Sequence, residues 1–154
     1  MFSPPPLLLP TLDETERLAR LLACALAPGD VLLLQGPLGA GKTALSQALI
    51  KALVGADVVV PSPTFTLVNP YETTKGPLWH ADLYRLTSEE VPTLGLEEHW
   101  WTGLTLIEWP ERLPYLPEAP LWISLAHDRL SQERTAHLTG NTLWSKRLSF
   151  LNTF

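Results

Sequence analysis

The hydrophobic residues of this chain follow two patterns, helical spacing in some segments and short uninterrupted runs in others. Leucines and alanines at helical spacing predict a first helix from about Leu12 to Leu26. Thr11 precedes it in the S/T-x-x-E order of a capping box, in which its hydroxyl and the carboxylate of Glu14 satisfy free backbone N–H groups. Residues 31–35 form an apolar run ending in glutamine, which predicts a buried strand.

Further strands and helices alternate along the rest of the chain. The pattern predicts a loop and a strand over 61–68, strands at 78–83, 104–109, 121–126 and 134–138, a short acidic helical segment around 88–94, and a C-terminal helix opening at 141–142. With 154 residues, the chain is long enough for one buried core. We therefore expect a single α/β domain over 1–154, a mostly parallel sheet with helices on both faces, and irregular backbone at 1–10.

The run 31–35 leads directly into Gly36-Pro37-Leu38-Gly39-Ala40-Gly41-Lys42-Thr43, a full match to the phosphate-binding pattern G-x-x-x-x-G-K-[ST]. The backbone N–H groups of such a turn and the positive end of the following helix attract phosphate oxygens. In this mechanism Lys42 reaches the terminal phosphates and Thr43 ligates magnesium. The sequence therefore predicts a P-loop NTPase-like domain that binds a nucleoside triphosphate.

Two acids at the ends of predicted strands are candidates for the second half of this site. Asp82 follows His80-Ala81, and Glu108 follows the apolar run 104–107. Either carboxylate can bind magnesium or orient the water that attacks the γ-phosphate. The alternative is that a strand-end acid only accepts hydrogen bonds from a neighbouring turn.

Three other polar residues permit two interpretations each. Ser62 and Thr64 lie beside prolines, where a switch-like loop can bring hydroxyls near the γ-phosphate or can stabilise a local turn. His80 can shuttle a proton, although a histidine between apolar neighbours is more often a packed, hydrogen-bonded residue.

Charge and composition narrow the range of partners. With 11 Lys and Arg against 16 Asp and Glu, the formal net charge is −5, which argues against non-specific electrostatic binding of nucleic acid over a broad surface. The first ten residues are broken by prolines and carry no basic leader, so we expect a cytoplasmic protein without a membrane span. The single cysteine, Cys24, is expected to pack in the core.

Five motifs in order resemble the TsaE family, also called YjeE. They are LGAGKT at 38–43, SPTFTLV at 62–68, HADLYR at 80–85, GLEE at 95–98 and LIEWPER at 106–112. The resemblance extends from about Thr11 to Gly140. It implies a small ATPase of weak or partner-dependent activity that joins the proteins TsaB and TsaD in threonylcarbamoyl modification of adenosine 37 in tRNA, with the tRNA contacted indirectly.

The resemblance also implies roles for single residues, with ATP and Mg²⁺ as cofactors. Lys42 holds the β- and γ-phosphates, and Asp82 acts as the water-orienting or base residue. Thr43 and Glu108 are the implied magnesium ligands, and the roles of Asp82 and Glu108 can be exchanged. The other implied ATP-binding residues are Thr11, Gly39, Ala40, Gly41, Ala44, Trp109 and Arg134.

Three positions depart from the family pattern. The family commonly has an acid where this chain has Pro37 and a threonine where it has Ala44, and neither change removes a phosphate ligand. Pro70 replaces a polar residue and can stiffen the switch-like segment.

Two other functions stay open from the sequence. A small-molecule kinase would need an acceptor site and a basic lid, and no arginine-rich lid segment is present. A nucleotide-dependent interaction module would use ATP as a switch without useful hydrolysis. Arg85 is the closest internal candidate for an arginine finger, or a surface contact for a partner.

Overall fold

The computed structural model describes residues 1–63 and 66–154. The strands are β1 (Leu7–Leu8), β2 (Val31–Gln35), β3 (Val68–Thr73), β4 (Gly76–Asp82), β5 (Leu104–Glu108), β6 (Leu121–His127) and β7 (Arg134–Thr139). The α-helices are α1 (Leu12–Ala25), α2 (Lys42–Val54) and α3 (Leu143–Arg147), and 3₁₀ helices occur at Val91–Leu94, Leu96–His99, Pro110–Arg112 and Ser149–Thr153. Among the described helices, none combines the length and apolar character needed to cross a membrane.

The strands form one sheet in the order β1-β7-β6-β2-β5-β4-β3. The four central strands, β6, β2, β5 and β4, run parallel. The outer pairings are antiparallel. The predicted α/β fold is confirmed, with the parallel part confined to the centre of the sheet. Because parallel strands end at the same edge, the carboxyl ends of β2, β4 and β5 lie side by side.

Strand β2 divides the core into two layers. Leu32 and Leu34 face the side on which α1, α2 and α3 pack. Val31 and Leu33 face the other side, which is covered by the 3₁₀ helices that follow β4. Helices therefore cover both faces, as expected, although the α-helices lie on only one of them. Since β2 is buried on both sides, its sequence is continuously apolar instead of alternating.

Several local predictions are wrong, among them the strand expected within 61–68, because β3 begins only at Val68 and runs to Thr73. Thr11 is the N-cap of α1, but its side chain makes no capping hydrogen bond, and the Glu14 carboxylate instead lies 3.6 Å from the Arg17 guanidinium. Cys24 is exposed, because it projects from α1 away from the buried leucine stripe. Leu7–Leu8 form a strand where irregular backbone was expected, since they pair with the free edge of β7.

Gly36 joins β2 to the phosphate loop at a close approach to strand β6. Its φ is +147°, and a Cβ added there would lie 2.4 Å from the backbone oxygen of Leu125. Glycine is required by both the backbone angle and the contact. Gly39 has a φ of +81° with no atom within 4 Å of an added Cβ, so only the angle constrains it.

Alanine variants of these two glycines distinguish the cost of the steric contact from the cost of the backbone angle. Gly36→Ala should lower the free energy of unfolding by about 3 kcal/mol or more, because the methyl group meets a backbone carbonyl that cannot rotate away. Gly39→Ala should lower it by only about 1 kcal/mol, the cost of left-handed backbone. Urea unfolding followed by tryptophan fluorescence measures both, and equal losses would contradict a steric limit at Gly36.

Candidate functional site

The phosphate loop opens into a cleft of about 390 Å³ at the carboxyl edge of the central strands. The loop, the ends of β4 and β5 and the start of β7 form its walls. Most of the predicted site residues line this cleft. They are Gly39, Gly41, Lys42, Thr43, Ala44, Asp82, Glu108, Trp109 and Arg134.

The loop passes into α2 through Gly41, which is the N-cap of the helix and has a φ of +107°. Left-handed backbone at this position turns the chain sharply from the loop into the helix. The first N–H groups of a helix have no partner within the helix, so the start of α2 brings hydrogen-bond donors and the positive end of its dipole to the cleft. Thr43, in the first turn, is exposed and lines the same cleft. This end of α2 is suited to an anion.

The Lys42 side chain lies along its own loop and is only 6% exposed. Its ammonium donates hydrogen bonds to the backbone oxygen of Gly36 and, at 3.0 Å, to that of Pro37. The same nitrogen lies 4.1 Å from the centre of the Trp109 ring, a cation–π distance. Two carbonyls and one aromatic face therefore hold the cation beside the loop. Phosphate oxygens can replace the carbonyls as its acceptors.

Carboxylates around Lys42 act on its charge. Burial lowers the pKa of Lys42 below the ordinary lysine value, because a desolvated ammonium is disfavoured. The negative charges of Glu108, Glu111 and Asp82 raise this pKa and partly offset the effect of burial. The cation thus depends on the acids at the ends of β4 and β5 for part of its stability.

Asp82 and Glu108 are cross-strand partners at the ends of β4 and β5. Both are buried, with 8% and 3% exposure. Asp82 Oδ1 accepts a hydrogen bond from the backbone N–H of Tyr84 at 2.9 Å. Glu108 Oε2 lies 2.6 Å from His80 Nε2, and Glu108 is also in register with Leu34 of β2. Glu108 therefore lies next to the strand that enters the phosphate loop, and Asp82 lies one strand further from it.

The oxygens of Thr43, Asp82 and Glu108 are hard ligands of the kind that Mg²⁺ prefers. In the described part of the chain, no group of three or more His, Cys, Asp or Glu residues could hold a metal ion by itself. Magnesium commonly binds through one or two protein oxygens, with substrate phosphates and water completing its octahedron. The residues present fit a magnesium ion bound together with a nucleotide.

Trp109 follows β5 in a left-handed conformation, with φ +62° and ψ +52°. Its N–H donates to the backbone oxygen of Leu34 at 3.3 Å, which attaches it to β2. Its ring contacts that of Tyr84, with the centres 4.7 Å apart and the planes at 42°. Tyr84 and Glu111 were not predicted as site residues. Both lie inside the recognised motifs, but no spacing rule along the chain indicates that they meet at Lys42.

Arg134 reaches the cleft from the start of β7, and its Cδ lies 4.0 Å from the position of a Cβ added at Gly41. Thr11 does not line the cleft, although Leu9, two residues earlier, donates its N–H to the backbone oxygen of Arg134 at 2.8 Å. Ala40 is 2% exposed and its N–H is bonded within the loop to Pro37. These placements separate Arg134 from Thr11 and Ala40, which the resemblance had grouped together.

Ser62 and Arg85 also line the cleft. Thr64, the second hydroxyl of the predicted switch-like segment, lies outside the described residues. Pro70 lies in β3, an edge strand of the sheet, where proline is tolerated because a partner strand is present on one side only.

A larger cleft of about 650 Å³ opens around β6 and the end of β7, lined by Trp122, Ala119 and Thr142 among others. Within the described chain, no charged side chain lines it. It therefore lacks the cations that a triphosphate needs and the carboxylates that a metal needs. The smaller cleft at the phosphate loop is the candidate site.

Comparison with known proteins finds a family model and relatives that match most of the chain. The family model "Threonylcarbamoyl adenosine biosynthesis protein TsaE" matches residues 9–136. The tRNA threonylcarbamoyladenosine biosynthesis protein TsaE of Synechocystis is 49% identical over 71% of this chain and 72% of its own length. The Nostoc protein of the same name is 45% identical over 75% of this chain and 74% of its own.

The fold is also shared with a solved structure, that of YdiB from Bacillus. The two chains are 29% identical and superpose with a TM-score of 0.73 over 99% of this chain and 97% of the other. Because nearly the whole chain is covered, the shared fold includes the phosphate loop, the central strands and β7.

The field of the carboxylates on Lys42 can be measured directly. Glu108→Gln should lower the pKa of Lys42 further, because the negative charge of Glu108 raises this pKa more than that of Glu111 or Asp82 does. Glu111→Gln should lower it less, and the exposed Glu133→Gln serves as the unaffected control. Proton titration of the ¹³Cε signal in lysine-labelled protein gives the pKa, and an unchanged or raised value in Glu108→Gln would contradict the arrangement.

The direction of the shift also fixes how Lys42 affects stability. Between its lowered pKa and the ordinary value of 10.5, the unfolded chain binds more protons at this group than the folded one. The contribution of Lys42 to the free energy of unfolding therefore rises with pH across this window. In Glu108→Gln the window should begin at a lower pH.

Proposed function

This chain belongs to the TsaE family of tRNA threonylcarbamoyladenosine biosynthesis proteins, and we propose that it is a magnesium-dependent ATPase that supports threonylcarbamoyl modification of adenosine 37 in tRNA. One observation carries the proposal. A complete phosphate loop and two buried carboxylates from neighbouring strands meet in one cleft. This is the combination that phosphoryl chemistry with a magnesium ion requires.

Lys42 binds the β- and γ-phosphates in this proposal. Its ammonium already lies at the loop, held by two backbone oxygens that a phosphate can replace as acceptors. Backbone N–H groups of Gly39, Gly41 and Ala44 contribute to the phosphate site, and Ala40, whose own N–H is bonded to Pro37, contributes by shaping the loop. Because Lys42 is a buried cation, the negative charge of a triphosphate would stabilise it further.

Magnesium is assigned to Thr43 and Glu108, where it would neutralise charge on the phosphate oxygens. Glu108 is favoured over Asp82 as the metal ligand because β5 pairs directly with β2, the strand that enters the loop. Asp82 lies one strand further out, on β4. That position suits a residue that orients the attacking water or accepts its proton.

The remaining wall of the cleft supplies ATP contacts from Trp109 and Arg134. Trp109 offers an aromatic face that already contacts the Lys42 ammonium. Arg134 is an exposed cation beside Gly41, where a phosphate or ribose oxygen can reach it. Thr11 is assigned a place beside the nucleotide only through the family resemblance, and Leu9, two residues before it, is bonded to the backbone of Arg134.

We further propose that hydrolysis depends on TsaB and TsaD, that tRNA is contacted through them, and that the protein acts in the cytoplasm. Of the arginines in the described chain, only Arg85 and Arg134 line the cleft. A P-loop ATPase with few cationic side chains at its phosphates gains activity when a partner completes the site. The net charge of −5 favours a protein partner over direct nucleic-acid contact.

ATP hydrolysis tests this proposal, measured with magnesium for the chain alone and after addition of TsaB and TsaD. The wild-type rate should increase at least tenfold with the partners. Lys42→Ala should remove stimulation and weaken ATP binding at least a hundredfold, while Lys51→Ala, on the exposed side of α2, should match the wild type. ATP binding without any stimulation would favour a nucleotide switch, and wild-type affinity in Lys42→Ala would contradict the assignment of the site.

The two acids should respond differently to removal. Asp82→Ala should keep magnesium-dependent ATP binding within about threefold and lose turnover by a factor on the order of a hundred, because in this assignment Asp82 contacts the attacking water and not the metal. Glu108→Ala should lose the magnesium dependence of binding itself, because it removes the metal ligand. Calorimetric titration with and without magnesium distinguishes them, and the opposite pattern would exchange the two roles.

A further inference from the structure

His80 is a buried histidine in the middle of β4, with 1% exposure. It lies two residues before Asp82, so both side chains project from the same face of the sheet. Glu108 is the cross-strand partner of Asp82, which makes it the diagonal neighbour of His80. All three side chains therefore share the face on which the phosphate loop and α2 lie.

The polar contact of His80 is to Glu108. Its Nε2 lies 2.6 Å from Glu108 Oε2, and both side chains are almost completely shielded from water. A carboxylate only accepts hydrogen bonds, so the Nε2 of His80 carries the hydrogen. The other ring nitrogen, Nδ1, is buried and has no hydrogen-bond partner among the described residues. Among the described residues, the ring is thus hydrogen-bonded to Glu108 alone.

Apolar side chains also lie beside His80. On this face the neighbouring buried side chains of β4 and β5 include Leu78, Leu104 and Leu106. An imidazole with one unpaired nitrogen is a costly way to fill such a space, and a leucine would fill it without that cost. The bond to Glu108 is what the histidine adds at this position.

We infer that His80 is a positioning residue, which holds Oε2 of Glu108 through its Nε2–H so that Oε1 is presented to magnesium in a fixed orientation. The inference rests on the proposed function, which assigns Glu108 to the metal. A hydrogen bond to a ligating carboxylate fixes its rotamer and lowers the entropy lost on metal binding. Removing such a bond commonly weakens metal affinity tenfold or more.

The test measures binding of a non-hydrolysable ATP analogue by calorimetry, once with magnesium and once with EDTA. His80→Leu should bind the analogue at least tenfold more weakly with magnesium and within twofold of the wild type in EDTA. His80→Gln, whose amide nitrogen can occupy the place of Nε2, should stay within threefold of the wild type in both conditions. His80→Asn, whose amide falls short of that place, should show the same selective loss as His80→Leu.

Thr105→Val is the matched control. Like His80, Thr105 is a buried polar residue of a central strand, here β5, and its hydroxyl has no hydrogen-bond partner among the described residues. Thr105→Val should leave the affinity for the analogue unchanged both with magnesium and in EDTA. Equal weakening with magnesium and in EDTA would mean that His80 only supports the fold and would overturn the inference. So would magnesium-dependent affinity in His80→Leu equal to that of the wild type.

The design keeps the inference separate from the proposed function. If His80→Leu does not fold, the contrast between His80→Asn and His80→Gln decides, and equal affinities in magnesium would overturn the positioning role. If the wild type itself binds the analogue equally well with and without magnesium, the metal assignment in the proposed function fails, and the positioning role fails with it. Wild-type magnesium dependence without an effect at His80 removes the positioning role alone.

Discussion

The parallel pairing of β2 with β5 is the constraint on which the site depends. It places Glu108 in register with Leu34, one residue before the end of β2 and two before the phosphate loop begins. Burial on both faces holds this pair in place, since its apolar side chains contribute to both layers of the core. A shift of one residue in register would move Glu108 to the opposite face and separate it from Lys42.

The charges of the cleft depend on one another. Lys42 is buried and loses hydration, and the fields of Glu108, Glu111 and Asp82 offset part of that loss. The loop carbonyls and the Trp109 ring contact the same ammonium. Because buried charges are stable only when they are paired or hydrogen-bonded, the cation and the acids stabilise the cleft together. The negative charge of a triphosphate complements the lysine, and the positive charge of a divalent cation complements the acids.

Local sequence patterns predicted the elements that are buried or strongly periodic. The strand at 31–35 has the bounds that the apolar run indicated, and the first helix ends within one residue of its prediction. The errors have two sources, competition between local hydrogen bonds and pairing with distant strands. At Thr11 the backbone carbonyl accepts the N–H groups of Glu14 and Thr15, so the predicted side-chain cap does not form. The strand at Leu7–Leu8 depends on β7, more than a hundred residues later in the chain.

By itself, the sequence determined the chemistry of the phosphate loop and the identity of its lysine, hydroxyl and acids, because glycine spacing and strand-end carboxylates are local features. It also indicated the family, through motifs that are each continuous in the chain. Only the tertiary structure decided that Tyr84 contacts Trp109, that Glu111 acts on the charge of Lys42 and that His80 bonds to Glu108. Those contacts come from strand order and register, which depend on packing between distant segments and leave no fixed spacing along the chain.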